Sequence, residues 1–283
     1  MKTLQYQATL KRPLDFEGVG VHTGAPARVE ISPAAPGSGI TFVLDQNVRV
    51  PATAEFVTET ARATVIGRNG ATVSTIEHLM AALFSMGIDN ATVQVSGPEV
   101  PVMDGSAQAF AQEIARCGVA SQGEVRKRLI ITEPHFFRDG DRMLVVLPAS
   151  RLRVQFLADF PPPVGTQFFA SDITPEVFFN EIAGARTFAY LHEVEALRKR
   201  GLAQGGTLEN AIVFGPEGPL APLRWSDEVV RHKVLDLLGD LSLIGAYPQC
   251  EVIAVKSGHR LHCIATQELR KLIASPLPSV KVQ

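Results

Sequence analysis

The order of the hydrophobic patterns along this chain constrains its fold more than any other feature of the sequence. Strand-like segments at residues 27–31 and 39–44 precede apolar side chains at helical spacing over residues 79–86. The second half repeats this order, with strand-like segments at residues 129–131 and 144–147 that precede further helices. Because strands and helices do not alternate regularly, we expect an α+β fold, and the repeated order of elements predicts two similar domains.

The boundary between the two predicted domains falls where the chain becomes polar, at residues 121–124. We expect an N-terminal α+β domain over residues 1–125 and a C-terminal α+β domain over residues 126–283. The length of 283 residues is enough for one large or two ordinary domains.

Two turns are predicted from segments that contain glycine. The dipeptide Asn69-Gly70 follows a strand-like segment and precedes another, which is typical of a hairpin. A last pair of strands is expected around Ser257-Gly258. His259 would then lie just beyond a tight turn, where its side chain can project into a cleft.

Composition and charge exclude several classes of function. Hydrophobic residues make up 46% and charged residues 20% of the chain, which is typical of a globular protein. Since 27 Lys and Arg residues stand against 29 Asp and Glu residues, the net charge is -2. We therefore expect no basic surface that would attract nucleic acid or an anionic membrane.

The cysteines and the apolar runs predict the compartment. Cys117, Cys250 and Cys263 show no Cys-x-x-Cys spacing, which indicates a reducing compartment and no thiolate metal site. The N-terminal residues do not resemble a signal peptide, and no run approaches the roughly 20 apolar residues that span a bilayer. We expect a cytoplasmic protein with no transmembrane segment.

Residues 229–241 carry the first candidate site. An apolar stripe at helical spacing should face the core, formed by Val230, Val234, Leu237, Leu238 and Leu241. His232, Asp236 and Asp240 follow at i, i+4 and i+8, so they stack along the other side of the same helix. An imidazole and a carboxylate one turn apart can bind a divalent metal. The alternative for this segment alone is a solvated polar face with a His–Asp hydrogen bond.

A second candidate site lies at the start of the earlier helix. Ser74 and Glu77 have the spacing of a capping box, which is the structural alternative to a catalytic role for Glu77. In the first helical turn, the helix dipole would keep His78 neutral and able to bind a metal. His78, His232 and Asp236 would form a metal site with an open position for water, and Glu77 would act on that water.

Three further patterns are interpreted as structural. Residues 18–24 imitate a dinucleotide-binding fingerprint, but their spacing is one residue too long and no βαβ unit surrounds them. Residues 193–200 are expected to form the solvated side of an amphipathic helix. Four histidines without a functional context are assigned to the surface or the core: His22, His135, His192 and His262.

A series of motifs runs in order through most of the chain, at residues 18–24, 74–79, 87–90, 103–107, 185–188, 200–202, 231–241 and 256–259. In number and order they resemble the UDP-3-O-acyl-N-acetylglucosamine deacetylase family, the zinc amidases of lipid A biosynthesis. The resemblance implies two α+β domains, each a β-sheet packed on helices, with the active site between them, which agrees with the boundary near residue 125.

The resemblance also implies a role for each candidate residue. His78, His232 and Asp236 are the expected metal ligands, with Zn2+ as the expected ion and Fe2+ as the alternative. Glu77 corresponds to the general base, and His259 to an acid or electrophilic partner. Whether Glu77 returns the proton itself or His259 acts as a separate acid is left open by the sequence.

Other residues should orient the reaction and hold the substrate. By resemblance, Asp240 orients His259, and Thr187 helps to hold the oxyanion. The expected substrate contacts are Lys233, Phe160 and Phe188. An insert at about residues 185–213 should form an apolar passage for the acyl chain, with Gly205-Gly206 as its turn.

The chain departs from the family pattern at three places. Residues 159–163, Asp-Phe-Pro-Pro-Pro, lack a histidine beside the expected nucleotide contact. Residues 183–184, Ala-Gly, replace a Ser-Arg pair that is frequent in the family, and residues 62–64 lack a cysteine that many members carry near the metal. We expect the first two changes to affect affinity and acyl-chain preference and not the metal chemistry. The third removes a possible modulating ligand near the metal.

The reaction implied by the resemblance removes the N-acetyl group from UDP-3-O-acyl-N-acetylglucosamine, which gives UDP-3-O-acyl-glucosamine and acetate, the committed step of lipid A biosynthesis. The partner would be this small amphiphilic UDP-sugar, and we expect a monomer. One alternative is a zinc deacetylase of another acylamino sugar. The other is a non-catalytic nucleotide-sugar binding protein, which would have no need of Glu77 together with all three metal ligands.

Overall fold

The computed structural model describes residues 5–274 of the chain. The outer ends of the two predicted domains, residues 1–4 and 275–283, lie outside the described residues. Most of the N-terminal segment that was compared with a signal peptide therefore also lies outside them. The strands are β1 (Tyr6–Leu10), β2 (Leu14–Val19), β3 (Pro26–Pro33), β4 (Ile40–Val43), β5 (Arg49–Pro51), β6 (Val57–Glu59), β7 (Val65–Arg68), β8 (Ala71–Val73), β9 (Ala91–Ser96), β10 (Val119–Val125), β11 (Arg128–Ile130), β12 (His135–Asp139), β13 (Arg142–Pro148), β14 (Arg153–Asp159), β15 (Thr166–Asp172), β16 (Phe188–Tyr190), β17 (Ile212–Gly215), β18 (Gly218–Pro219) and β19 (Tyr247–Val255). The helices are α1 (Glu77–Ser85), α2 (Gln108–Cys117), α3 (Pro175–Val177, continued by a π-helical turn at Phe178–Ile182), α4 (Leu191–Lys199), α5 (Glu228–Ser242) and α6 (His259–Ala274).

The two halves of the chain form sheets with the same strand order and the same strand directions. In the first half the order is β2-β3-β9-β4-β5, and the central strand β9 is antiparallel to β3 and parallel to β4. In the second half the order is β12-β13-β19-β14-β15, and β19 is antiparallel to β13 and parallel to β14. The expected α+β fold with two similar sheet-and-helix halves is therefore confirmed.

Each main sheet buries one face because apolar residues alternate along its strands. In β3, Ala27, Val29 and Ile31 are buried and the residues between them are exposed. Alternate residues of β19 are likewise buried over its whole length. These faces contribute to one continuous hydrophobic core that draws residues from both halves. The division at residue 125 stays a prediction.

Helix α1 of the first half packs directly against α5 of the second half. Gly239 in α5 makes this close contact possible, since a β-carbon there would lie 2.2 Å from the carbonyl oxygen of Glu77. Burial extends around most of α5, beyond the predicted apolar stripe, and includes His232, Asp236 and Asp240. The alternative of a solvated polar face on this helix is therefore wrong.

The structure tests three local predictions: a hairpin, an amphipathic helix and a pair of strands. The hairpin is confirmed, since Asn69 and Gly70 connect β7 to β8 with φ angles of 53° and 83°, as a type I′ turn requires. The helix expected from residues 193–200 is α4, in which Leu197 is buried. The strand pair expected around Ser257-Gly258 is wrong, because this segment connects β19 to α6.

A helix, α6, follows Ser257-Gly258 in place of the expected strand because of the spacing of the apolar residues beyond the turn. Leu261, Ala265 and Leu269 are buried and recur at every fourth residue, which is the pattern of a helix.

The polar residues 121–124, expected at a domain boundary, belong to the half-exposed strand β10, which pairs with β1. Among the described residues, no helix has both the length and the apolar character needed to cross a bilayer.

Within the glycine-rich residues 18–24, residues 20–24 form a loop around a buried carboxylate, and no helix follows them as a dinucleotide fingerprint would require. The carboxylate of Glu99 accepts hydrogen bonds from the backbone N–H groups of His22 and Thr23 and from the hydroxyl of Thr75. A β-carbon at Gly20 would lie 2.1 Å from a carboxylate oxygen of Glu99. The absence of a side chain at Gly20 therefore leaves room for the carboxylate of Glu99.

Candidate metal centre and active site

Helix α1 begins at Glu77, so Glu77 and His78 both lie in its first turn. The predicted capping box is wrong, because another residue precedes the helix and no side chain caps it. Ser74 pairs instead with Glu99 in an isolated parallel bridge. The carboxylate of Glu77 is thus available, and its Oε2 accepts a hydrogen bond of 3.0 Å from the backbone N–H of Thr64.

His78, His232 and Asp236 form a compact, buried group of metal-ligand types. One ligand atom of each residue lies within 4.8 Å of the others. Asp236 Oδ1 is 3.8 Å from His78 Nε2 and 3.4 Å from His232 Nε2. Ligand atoms about 2.0–2.2 Å from a tetrahedral ion are roughly 3.3–3.6 Å apart, so this spacing fits a divalent ion such as zinc.

Both imidazoles of this group are held in the form that binds a metal. His232 Nδ1 lies 3.0 Å from the carbonyl oxygen of Ala185, so Nδ1 carries the proton and Nε2 keeps a free lone pair. Burial lowers the pKa of His232, and burial together with His232 lowers that of His78 to about 3. Neutral imidazoles are the form that a metal requires.

Lys233 holds the carboxylate of the group. Its Nζ lies 2.6 Å from Asp236 Oδ2, while Oδ1 of the same carboxylate faces the imidazoles. Burial would raise the pKa of Asp236, but His232 and Lys233 outweigh this effect and keep the pKa below its usual value. Lys233, expected from the sequence as a substrate contact, therefore also orients a candidate metal ligand.

Glu77 and His259 lie side by side next to the metal group. His259 Nε2 is 4.0 Å from Glu77 Oε1 and 3.9 Å from Asp236 Oδ2. Burial raises the pKa of Glu77 to about 7. Burial would lower the pKa of His259, but Asp240, whose Oδ2 lies 2.8 Å from Nδ1, raises it to about 9. At neutral pH, a partly ionised carboxyl group and a protonated imidazole therefore face the same space.

Sequence reasoning missed two residues of this site. Thr64 donates its hydroxyl to Asp240 Oδ1 at 2.6 Å and its backbone N–H to Glu77, so it links two candidate catalytic groups. His262 was assigned to the surface or the core; it is fully buried, and its Nδ1 lies 2.8 Å from Asp240 Oδ2. The only signal in the sequence was its spacing, three residues after His259 on one helix face.

The predicted aromatic contacts lie beside the metal group. The ring of Phe188 is 6.2 Å from that of His232, and the ring of Phe160 is 5.0 Å from that of Phe188. The backbone of Thr187, directly before Phe188, donates its N–H to Gly105 of the first half at 2.8 Å. Thr187 thus lies in the chain between Ala185, whose carbonyl oxygen contacts His232, and Phe188, and its predicted contact with the oxyanion stays a prediction.

A cavity of about 280 Å³ adjoins these aromatics on the second half. Its lining includes three cations, Arg142, Lys233 and Lys256, two carboxylates, Asp141 and Asp159, and the aromatic ring of Phe160. Lys256 forms ion pairs with both carboxylates, at 2.7 Å with Asp159, in the segment that departs from the family pattern, and at 3.4 Å with Asp141. The cations outnumber the carboxylates by one beside an aromatic surface.

The predicted insert at residues 185–213 contacts the glycine-rich loop of the first half. The backbone N–H of Gln204 donates to His22, and that of Gly205 donates to Val21. A β-carbon at Gly205 would lie 2.2 Å from the carbonyl oxygen of Gly20. The first of the two predicted turn glycines therefore allows the insert to lie directly on the other half.

Comparisons with known proteins match one family over most of the chain. The LpxC family model, described as UDP-3-O-acyl N-acetylglycosamine deacetylase, matches residues 7–271. A UDP-3-O-acyl-N-acetylglucosamine deacetylase of Geobacter sp. is 45% identical over 273 residues, which are 94% of this chain and 90% of that protein. Proteins of the same name from Myxococcus xanthus and Nostoc sp. are 45% and 41% identical over 276 residues, with 95% and 94% of this chain and 87% and 99% of those proteins covered.

Proposed function

Because the chain belongs to the UDP-3-O-acyl N-acetylglycosamine deacetylase family, we propose that it hydrolyses the N-acetyl group of UDP-3-O-acyl-N-acetylglucosamine at this site. The products are UDP-3-O-acyl-glucosamine and acetate, and the reaction is the committed step of lipid A biosynthesis. The observation that carries the proposal is the convergence of three metal-ligand side chains with a buried carboxyl group and an imidazole. A binding protein without catalysis has no need of that acid–base pair.

We assign His78, His232 and Asp236 as the ligands of a Zn2+ ion, with Fe2+ as the alternative. Two neutral imidazoles and one carboxylate are a donor set that zinc accepts in catalytic sites, where a further position is kept for water. When bound, such an ion supplies a water of lowered pKa and polarises a carbonyl group.

The chain's own side chains supply the proton transfers. Glu77, with a pKa raised to about 7 by burial, takes a proton from the attacking water. Thr187 donates its hydroxyl to the oxyanion that forms on the acetyl carbonyl. His259, protonated and held by Asp240, gives its proton to the sugar nitrogen as the C–N bond breaks. The two different pKa values support separate base and acid roles.

The substrate's remaining parts match three features around the site. Arg142, Lys233 and Lys256 offer positive charge to a diphosphate, and the adjacent Phe160 offers a flat surface to the nucleotide. Phe188 lies between Phe160 and the metal group. The insert at residues 185–213, which rests on the glycine-rich loop, is assigned as the passage for the acyl chain.

We also propose that the chain works as a cytoplasmic monomer with two domains that meet near residue 125. The support for the compartment is the set of buried, unpaired cysteines: Cys117, Cys250 and Cys263. Light scattering would test the monomer, and limited proteolysis would test the domain boundary.

The proposal is tested by acetate release from the acylated UDP-sugar, with and without a chelator, alongside metal analysis of each variant. We expect chelation to abolish turnover and added Zn2+ to restore it. Glu77→Gln should keep its metal and lose turnover by about 10²–10⁴-fold, since it removes a general base. His78→Ala should lose both metal and turnover.

His135→Asn provides a matched control, because His135 lies in β12 outside the site. Full activity in Glu77→Gln would remove Glu77 as the base. Undiminished metal content in His78→Ala would show that the ligands are different residues.

A further inference from the structure

The carboxylate of Asp240 accepts hydrogen bonds from three side chains, of which His259 is only one. His259 Nδ1 and His262 Nδ1 both lie 2.8 Å from Asp240 Oδ2. Thr64 donates its hydroxyl to Oδ1 at 2.6 Å. Asp240 and His262 are both 0% exposed. A buried carboxylate that is bonded at both oxygens has its orientation defined by these partners.

The hydrogen bonds of His262 determine its tautomer. An ionised carboxylate only accepts, so the proton between His262 and Asp240 lies on His262 Nδ1. Nε2 of a neutral imidazole is then an acceptor, and it lies 2.8 Å from the hydroxyl of Ser257. Ser257 is buried and donates to this nitrogen. Both ring nitrogens of His262 are therefore engaged.

The fold holds this ring in place from several directions. His259 and His262 are three residues apart in the first turn of α6, so both face α5 at the level of Asp240. The backbone N–H of His262 donates to Gly258 at 3.0 Å. The ring of Phe156 packs edge-on against the imidazole, with the ring centres 6.4 Å apart.

We propose that His262 is a positioning residue for the deacetylation, which acts on His259 through Asp240. Ser257 holds the tautomer of His262, and His262 holds Oδ2 of Asp240. Asp240 in turn directs Nε2 of His259 toward the space beside Glu77 Oε1, 4.0 Å away. This inference rests on the proposed function, since it assigns His259 the transfer of a proton to the leaving amine.

A second metal site is the alternative for this cluster, because ligand atoms of Asp240, His259 and His262 also lie within 4.8 Å of one another. The distances favour hydrogen bonds. Each Nδ1 lies 2.8 Å from the carboxylate oxygen, shorter than the roughly 3.3 Å between ligand atoms of a tetrahedral ion. Nε2 of His262 is occupied by Ser257, which completes a hydrogen-bonded chain.

The test compares three replacements of His262 in the metal-loaded full chain. The amide nitrogen of Asn stands as far from the backbone as Nδ1 of histidine, whereas that of Gln stands further out. We expect His262→Asn to keep kcat within about threefold of the wild type. His262→Leu and His262→Gln should lose at least about tenfold in kcat, with KM and metal content unchanged.

Ser257→Ala should lower kcat less than His262→Leu, because the bond to Asp240 remains. His135→Asn is the control for histidine replacement as such. Equal kcat values in the Asn and Gln variants, or a change confined to KM, would overturn the inference. Since Asn and Gln are both neutral amides, their comparison decides the matter even where the Leu variant does not fold.

Proton NMR separates this inference from the proposed function. The wild type should show a slowly exchanging imidazole N–H signal for His232, bonded to Ala185, and one each for His259 and His262, bonded to Asp240. His262→Leu should lose only the signal of His262. Absence of the His262 signal in the wild type would overturn the inference. Absence of acetate release by the wild type would overturn the proposed function, whatever the NMR spectrum shows.

Discussion

At the scale of single residues, burial and neighbouring charge raise the pKa values of two adjacent groups, Glu77 and His259, to different extents. The pKa of Glu77 is raised to about 7 by burial, so a large part of it is ionised near neutrality. The pKa of His259 is raised to about 9 because the attraction of Asp240 exceeds the effect of burial. A general base and a general acid can thus coexist in one site over an interval of pH.

These values predict a bell-shaped dependence of kcat/KM on pH. Activity should rise as Glu77 loses its proton, near pH 7, and fall as His259 loses its proton, near pH 9. The charge of a bound divalent ion lowers both pKa values, so each limb should lie at or below these positions. The measurement is the rate of acetate release at constant ionic strength and metal concentration.

The variant that removes the acid is the control for this profile. His259→Gln should lose the falling limb together with most of the activity, because no proton is left to titrate at that position. A rising limb that persists in Glu77→Gln would contradict the assignment of Glu77 as the base.

The sequence indicated most residues of the candidate site but neither Thr64 nor His262. His78, His232 and Asp236 carry recognisable ligand chemistry at helical spacing, and the structure brings them together. Thr64 acts through one hydroxyl and one backbone N–H, which any threonine has. Such contacts depend on the tertiary arrangement and leave no pattern in the sequence.

At the scale of elements, the contact between α1 and α5 creates the site. Glu77 and His78 lie at the start of α1, and His232 and Asp236 lie on α5, so the candidate metal group exists only where these helices touch. The missing side chain at Gly239 allows the close approach. The sequence predicted both helices but not that a glycine determines the distance between them.

Gly239→Ala should therefore destabilise the protein, although alanine is the better helix former by about 1 kcal/mol. A β-carbon 2.2 Å from the Glu77 carbonyl oxygen would push the helices apart. We expect a loss of about 1–3 kcal/mol in the free energy of unfolding, together with weaker metal binding. Denaturant unfolding and metal titration are the measurements.

Gly258→Ala is the comparison, because a β-carbon there would have no atom within 4 Å. It should leave both quantities close to those of the wild type. A gain in stability for Gly239→Ala would show that helix propensity outweighs the contact and that α1 and α5 can separate without cost.

At the scale of the whole molecule, two sheets of the same topology each support a helix of the site, and the insert of the second half reaches back to the first. Gln204 and Gly205 donate backbone hydrogen bonds to the glycine-rich loop. Gly20 takes part in two close contacts. A β-carbon added at Gly20 would clash with the carboxylate of Glu99, and a β-carbon added at Gly205 would clash with the carbonyl oxygen of Gly20. The loop is thus a structural base for the insert.

Gly205→Ala should raise KM for the acylated substrate several-fold and leave metal content unchanged, because the added β-carbon would push the insert away from the glycine-rich loop. Gly206→Ala is the matched control, since a β-carbon there would be 3.4 Å from its nearest neighbour. Steady-state kinetics with substrates of different acyl length would measure the effect. Equal KM values for the two variants would show that the insert does not hold the acyl chain.

By itself, the sequence determined the class of fold, the family and the types of ligand, because hydrophobic periodicity and motif chemistry are local properties of a chain. The start of α1 and the pairing of residues 121–124 in β10 were decided by the tertiary structure. So were the hydrogen bonds of Thr64 and His262 to Asp240 and the burial of the polar side of α5. In each case the free energy depends on residues distant in sequence, whose contact no local pattern encodes.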